Sequence, residues 1–230
     1  MMVVLLILSV LVGVVLGIFF GKEEKIAKNF LILSAGFLIA ICMNELFPSI
    51  YAAHTHSIGL WVLGGVVLQM FLENFTKGFE HGHIHQPTEK NILPIGLVIG
   101  LFIHAFIEGI PLANEKDLAS PYLQGILVHN VPISFILGTF LFRHKKLSSY
   151  SWFIIGLFAI ASPLGYWLGD FLPVSYIPYI MAIVGGIFLH ISSVIIFESN
   201  KNHNIDWKKI GFVVLGIALA TLFHFVGHEH

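Results

Sequence analysis

Two short stretches of this 230-residue chain hold the side chains best suited to chemistry. One reads GLFIHAFIEGIPLA and places His104 and Glu108 four residues apart, hence on one helical face about one turn from each other. The other reads GILVHNVPISFILG and carries His129 and Asn130. Both stretches are otherwise apolar. An ionisable group at the centre of a bilayer costs a few kcal/mol or more, so such groups face a partner, water or a substrate path. Two imidazoles and a carboxylate are borderline and hard ligands of the kind that bind Zn, Fe, Mn, Co or Ni, and a dication offsets the cost of burying Glu108 as an anion. Three protein ligands plus water also make a site that can release its ion. Pro111 and Pro132 each delete a helix hydrogen bond close to these residues, freeing the carbonyls of Ile107 and Val128. Free carbonyls at membrane depth are tolerated where they line a cavity or polar neighbours, which is consistent with a translocation pathway and also with packing.

The chain has 13 histidines, as many as its Asp and Glu together, and a single cysteine, Cys42. One cysteine excludes both an intramolecular disulfide framework and a thiolate cluster, so metal chemistry falls to His and carboxylates. The polar loop KGFEHGHIHQPTEKN holds His81, His83 and His85 at alternate positions, where three imidazoles can meet one borderline cation if the loop folds around it; a merely solvated loop is the alternative.

These side chains need elements to position them. With 57% hydrophobic and only 11% charged residues, the composition excludes a water-soluble globule and does not suggest nucleic acid as a partner. Eight apolar stretches run about Met2–Phe20, Phe30–Tyr51, Ile58–Phe75, Leu93–Leu112, Tyr122–Phe142, Ser151–Leu168, Val174–Phe197 and Ile210–Val226. Each is long enough to cross a hydrocarbon core of about 30 Å. The expectation is an all-α, polytopic membrane bundle of eight transmembrane helices. It is a single transmembrane domain over residues 1–230, with a His-bearing cytoplasmic loop at 76–92, surrounded by lipid in a plasma or inner membrane.

The first stretch lacks the basic start and small-residue cleavage site of a secretory signal and reads as a retained helix. Placing both termini outside the cytoplasm assigns Lys22, Lys25, Lys28, Lys77, Lys90, Arg143, Lys145, Lys146, Lys201, Lys208 and Lys209 to cytoplasmic loops and leaves only Lys116 outside. Recurrent glycines suit close helix packing and are compatible with a homodimer. Trp61, Tyr122, Trp152, Trp167 and Trp207, near span ends, fit interfacial belts.

At these positions the sequence resembles the ZIP (Zrt/Irt-like) family of divalent-metal transporters. That family carries H-N-x-x-D/E-G in its fourth span, matched by His104, Glu108 and Gly109, and H/Q-E/D-x-P-H/E in its fifth, matched by His129 and Pro132. Ser162-Pro163-Leu164-Gly165 is similar to its E-P-L-G, and Glu45-Leu46-Phe47-Pro48 to its H-L-L-P-E. GGIFLHISSVIIFE, ending at Glu198, resembles its seventh span. The eight spans, outward termini and His-bearing loop also fit.

The resemblance implies movement of a divalent transition metal toward the cytoplasm, with the ion as substrate (Zn first, then Fe, Mn or Co), no organic cofactor and no enzymatic activity. The departures concern the ligands. Where the family commonly builds two adjacent metal positions, this chain has Ala105 for Asn, Asn130 for the span-five acid, Ile133 for the next ligand and Ser162 for the span-six Glu. Each change removes charge or coordination at the second position without adding a cation, so a second ion would be left largely uncompensated. The expectation is a mononuclear site of His104, Glu108 and His129. Asn130 and Ser162 can offer neutral oxygens to a hydrated ion or its ligands, while Glu45, His190 and His224 are further polar candidates for a structural or gating role or for none, with Glu45 also a candidate for the path. Two alternatives stand beside transport: a degenerate relative that binds metal or a partner without transporting, and an intramembrane zinc hydrolase, which the absence of HExxH and of a separate general base disfavours.

Overall fold

In lipid a backbone must satisfy its own hydrogen bonds, so long apolar runs of this kind become helices. The computed structural model describes residues 1–21, 23–52, 57–76, 79, 95–142, 149–198 and 206–228, and all regular structure among them is helical. The long elements are α1 (Met2–Phe20), α2 (Glu24–Ile41), α4 (Ile58–Thr76), α5 (Ile95–Gly109), α6 (Pro121–Phe142), α7 (Ser149–Gly169), α8 (Ile177–Glu198) and α9 (Trp207–His228). A short α3 (Phe47–Ala52) continues the line of α2 beyond a π-helical turn, Cys42–Leu46. Among the described residues, seven segments are long and apolar enough to cross a membrane, and the eighth expected span, Ile210–Val226, falls inside α9. The protein is a multi-pass integral membrane bundle. The loop residues His81, His83 and His85 lie outside the described residues, as do most of the basic loop residues.

Prolines explain where the helices depart from plain α geometry. Pro48 has no N–H to give the carbonyl four residues back, and the turn before it widens so that Phe47 N–H bonds to the Cys42 carbonyl. Pro111 ends α5 earlier than the apolar run suggests, and the chain tightens into a 3-10 turn at Ile110–Asn114. Pro132 and Pro163 instead stay within α6 and α7. Asp206 caps α9 by accepting hydrogen bonds from the Lys208 and Lys209 amides at 3.1 and 3.2 Å. The Lys209 ammonium donates to the Ile196 carbonyl in the last turn of α8, a favourable place for a cation.

The helices pack in tight pairs, α1 on α6, α5 on α7, α2 on α9 and α4 on α8. Glycine sets each closest approach: a Cβ on Gly165 would overlap the Phe106 carbonyl, on Gly216 that of Leu33, and on Gly186 that of Val62, while one on Gly138 would crowd Val14. Contacts of α1 with α7 link α1, α5, α6 and α7 into one group, contacts of α2 with α8 link α2, α4, α8 and α9 into a second, and the two groups meet along a seam where α2 packs on α6 and α4 on α5. Burial follows from this arrangement: 67% of the apolar window of α6 is buried against 28% of that of α4. Outward faces such as Leu60, Phe71 and Phe153 are apolar and meet lipid.

Candidate metal centre

The i, i+4 spacing on α5 does what helix geometry requires: His104 Nε2 lies 2.9 Å from Glu108 Oε1. From α6, His129 brings its ring edge-on to His104, with centroids 5.6 Å apart. One ligand atom from each of the three lies within 4.8 Å of the others. A tetrahedral ion with bonds of about 2 Å holds its donors about 3.3 Å apart, so shortening the widest separation by up to about 1.5 Å would close the set around one dication. His104, Glu108 and His129 are 1%, 0% and 0% exposed. A carboxylate so deeply buried needs a compensating cation or proton. Among the described residues no hydrogen bond reaches Glu108 Oε2, which leaves that oxygen's lone pairs available to an ion.

The other expected residues take different places. Asn130, though buried, turns toward α1 and donates from Nδ2 to Ser9 Oγ at 3.4 Å, and Ser9 Oγ in turn donates to the Leu6 carbonyl at 2.8 Å. Ser162 is buried behind α5, where its carbonyl occupies the space that a Cβ on Gly109 would need. The motif glycine after Glu108 thus lets α7 lie directly against the ligand-bearing turn. Ala105 and Ile133 are buried and apolar. Glu45 is half-buried in the π turn and is not part of the three-residue group. The side chain of His224 lies outside what is described.

Two further polar arrangements escaped the sequence reading. Tyr122 is no belt residue: it is 3% exposed, and its hydroxyl donates to the Glu108 carbonyl at 2.7 Å. Trp61, Trp152, Trp167 and Trp207 are exposed, as belts require. A tyrosine near the end of an apolar run looks the same in either role; the only available signal was its spacing of seven residues from His129, which puts both on one face of α6. His190, a candidate from sequence, meets Glu73 of α4 at 2.8 Å between Nε2 and Oε2, a pairing that sequence could not foresee because it joins different spans.

A family model described as ZIP zinc transporter matches residues 80–224, a range that contains both ligand-bearing helices. No curated protein matches the chain. The family's members are transporters of divalent metal rather than enzymes. With a match over more than half of its length, the chain belongs to the ZIP zinc transporter family.

Proposed function

We propose that this protein carries a Zn-like divalent transition metal toward the cytoplasm through one mononuclear site made of His104, Glu108 and His129. The observation that carries the proposal is the convergence of two buried imidazoles and a buried carboxylate within 4.8 Å of one another. Borderline nitrogen donors with a single anion suit Zn and its neighbours better than Mg or Ca, which prefer all-oxygen cages. Ala105 and Ile133 offer no donor at the second position, and Asn130, whose Nδ2 donates to Ser9, could supply only one neutral oxygen there in place of an acid, which supports one ion rather than two. Asn130 and Ser162 then act through the helices that carry the ligands, and Glu45 belongs to the path rather than to the site.

The position of the site also supports transport. His129 packs against Phe188 of α8 at a ring distance of 6.1 Å, so the site lies at the seam between the two helix groups. Rocking or sliding of one group against the other would expose such a seam to each side in turn. With both termini outside the cytoplasm, the loop histidines His81, His83 and His85 face the cytoplasm and receive the released ion. Protons compete with metal for imidazole nitrogens, so affinity falls as pH falls and acid favours release.

The test is uptake of Zn, Mn, Fe and Co into liposomes that contain the purified chain, with Glu108→Ala beside it. Metal-specific uptake lost in Glu108→Ala supports the proposal. Absence of uptake of any metal by verified folded protein would favour a relative that binds metal without moving it.

A further inference from the structure

Helix α5 ends one residue after the ligand Glu108, and the last carbonyls of an α-helix have no donor within the helix. Here the shortage is sharpened by Pro111. The residue three beyond Glu108 would supply the 3-10 bond to its carbonyl, and the residue four beyond Ile107 the α bond; both are Pro111, which has no N–H. Leu112, four beyond Glu108, belongs to the 3-10 turn Ile110–Asn114, whose bonds run three residues back, to Gly109. A buried carbonyl without a donor is costly, and in this place water does not solvate it. The donor comes from α6: Tyr122 Oη gives its hydrogen to the Glu108 carbonyl at 2.7 Å, with Tyr122 3% and Glu108 0% exposed.

Tyr122 also touches the rest of the site. It shares a face of α6 with His129, seven residues on. Its ring lies 6.3 Å from that of Phe188, and the same Phe188 ring lies 6.1 Å from His129. One side chain on the helix of His129 therefore grips the backbone of Glu108 and packs on the aromatic that backs His129. Any slide of α5 along α6 has to break that bond, and such a slide is what would change the spacing between Glu108 and His129.

We propose that Tyr122 is a positioning residue of the metal site, which sets the depth of Glu108 relative to His129 through the main-chain carbonyl left unpaired by Pro111. This inference rests on the reading of His104, Glu108 and His129 as the metal site. Without the hydroxyl, the donor set is looser and binds the ion less tightly, while the route through the protein is unchanged.

The experiment measures the Zn affinity of the purified full chain in lipid nanodiscs by competition with a fluorescent chelator, and Zn uptake in liposomes. The variants are Tyr122→Phe, Pro111→Ala, the two combined, and Glu108→Ala. Tyr122→Phe should raise the Kd for Zn about three- to tenfold. It should raise KM for uptake by a similar factor with little change in maximal rate, a split that general destabilisation would not produce. Pro111→Ala returns a local N–H donor, so adding Tyr122→Phe to it should cost less than in the wild type. A Kd for Tyr122→Phe within about twofold of wild type, with binding lost in Glu108→Ala, would overturn this inference and leave the site intact. Binding unaffected by Glu108→Ala would overturn the site and this inference with it. If Tyr122→Phe fails to fold, 3-fluorotyrosine at position 122 keeps the ring and makes the hydroxyl a stronger donor. A shifted Kd then supports the assignment, and an unchanged one overturns it.

Discussion

The group of α1, α5, α6 and α7 and the group of α2, α4, α8 and α9 are fastened alike, by glycines that bring helix backbones into contact, yet they treat ionisable residues differently. In the first group His104, Glu108 and His129 are sealed from solvent at 1%, 0% and 0% exposure. In the second, Glu73 and His190 pair at 2.8 Å and remain 29% and 14% exposed. A partly buried carboxylate and imidazole can compensate each other, whereas the sealed set has one carboxylate for two imidazoles, an arrangement that a dication would complete. The seam between the groups differs again. At Gly125 a Cβ would lie 3.6 Å from the Ile41 side chain and at Gly96 3.5 Å from the Phe75 carbonyl, both ordinary contact, whereas at Gly100 it would meet the Thr76 side chain at 2.6 Å. The nearest backbone atom to any of these three is 3.5 Å away, against 2.0 Å at Gly165 and Gly186 within the groups, so the seam holds its backbones farther apart than the pairs do.

That contrast can be broken at several points. The largest effect should come from Glu108→Ala: loss of one of three ligands should weaken Zn binding by more than about 100-fold, as measured by chelator competition. Glu73→Ala, which removes the exposed pair's acid, should change Zn affinity far less; an equal loss would erase the distinction between the groups. Next come matched steric insults. A Cβ on Gly109 would overlap the Ser162 carbonyl and one on Gly65 that of Ile183. Each alanine should cost about 1–3 kcal/mol of stability in a thermal or denaturant assay. Only Gly109→Ala should also weaken Zn binding, since only that contact backs the ligand-bearing turn. Asn130→Ala should have the smallest effect, about 0.5–1 kcal/mol of stability for one neutral helix–helix hydrogen bond, with Zn affinity nearly unchanged. A large drop in affinity would place Asn130 among the ligands.

Much of this layout was legible in the sequence because lipid leaves few options. Long apolar runs must be helices, and His104, Glu108 and His129 stand out because ionisable groups at that depth are rare. Their convergence rests partly on local geometry, the i, i+4 spacing on α5, and partly on a packing of α5 near α6 that no single run encodes. Other features were not legible for definite reasons. The glycines signalled close approach but not between which helices, since a small residue carries no mark of its partner. Pro48 and Pro111 signalled broken hydrogen bonds, but whether a helix widens into a π turn, tightens into a 3-10 turn or, as at Pro132, continues depends on its neighbours. Tyr122 has the sequence position of a belt residue, and its true depth is set by the early end of α5 and the position of Phe188, both tertiary facts.

Whether one ion binds between the two imidazoles and the carboxylate is decided by zinc-edge X-ray absorption on the loaded full chain in nanodiscs, combined with elemental analysis. One Zn per chain is expected, bound by two imidazoles and oxygen donors, with one imidazole fewer in His129→Ala. Two Zn ions per chain at this site, or an imidazole count unchanged by His129→Ala, would contradict a mononuclear site of these residues.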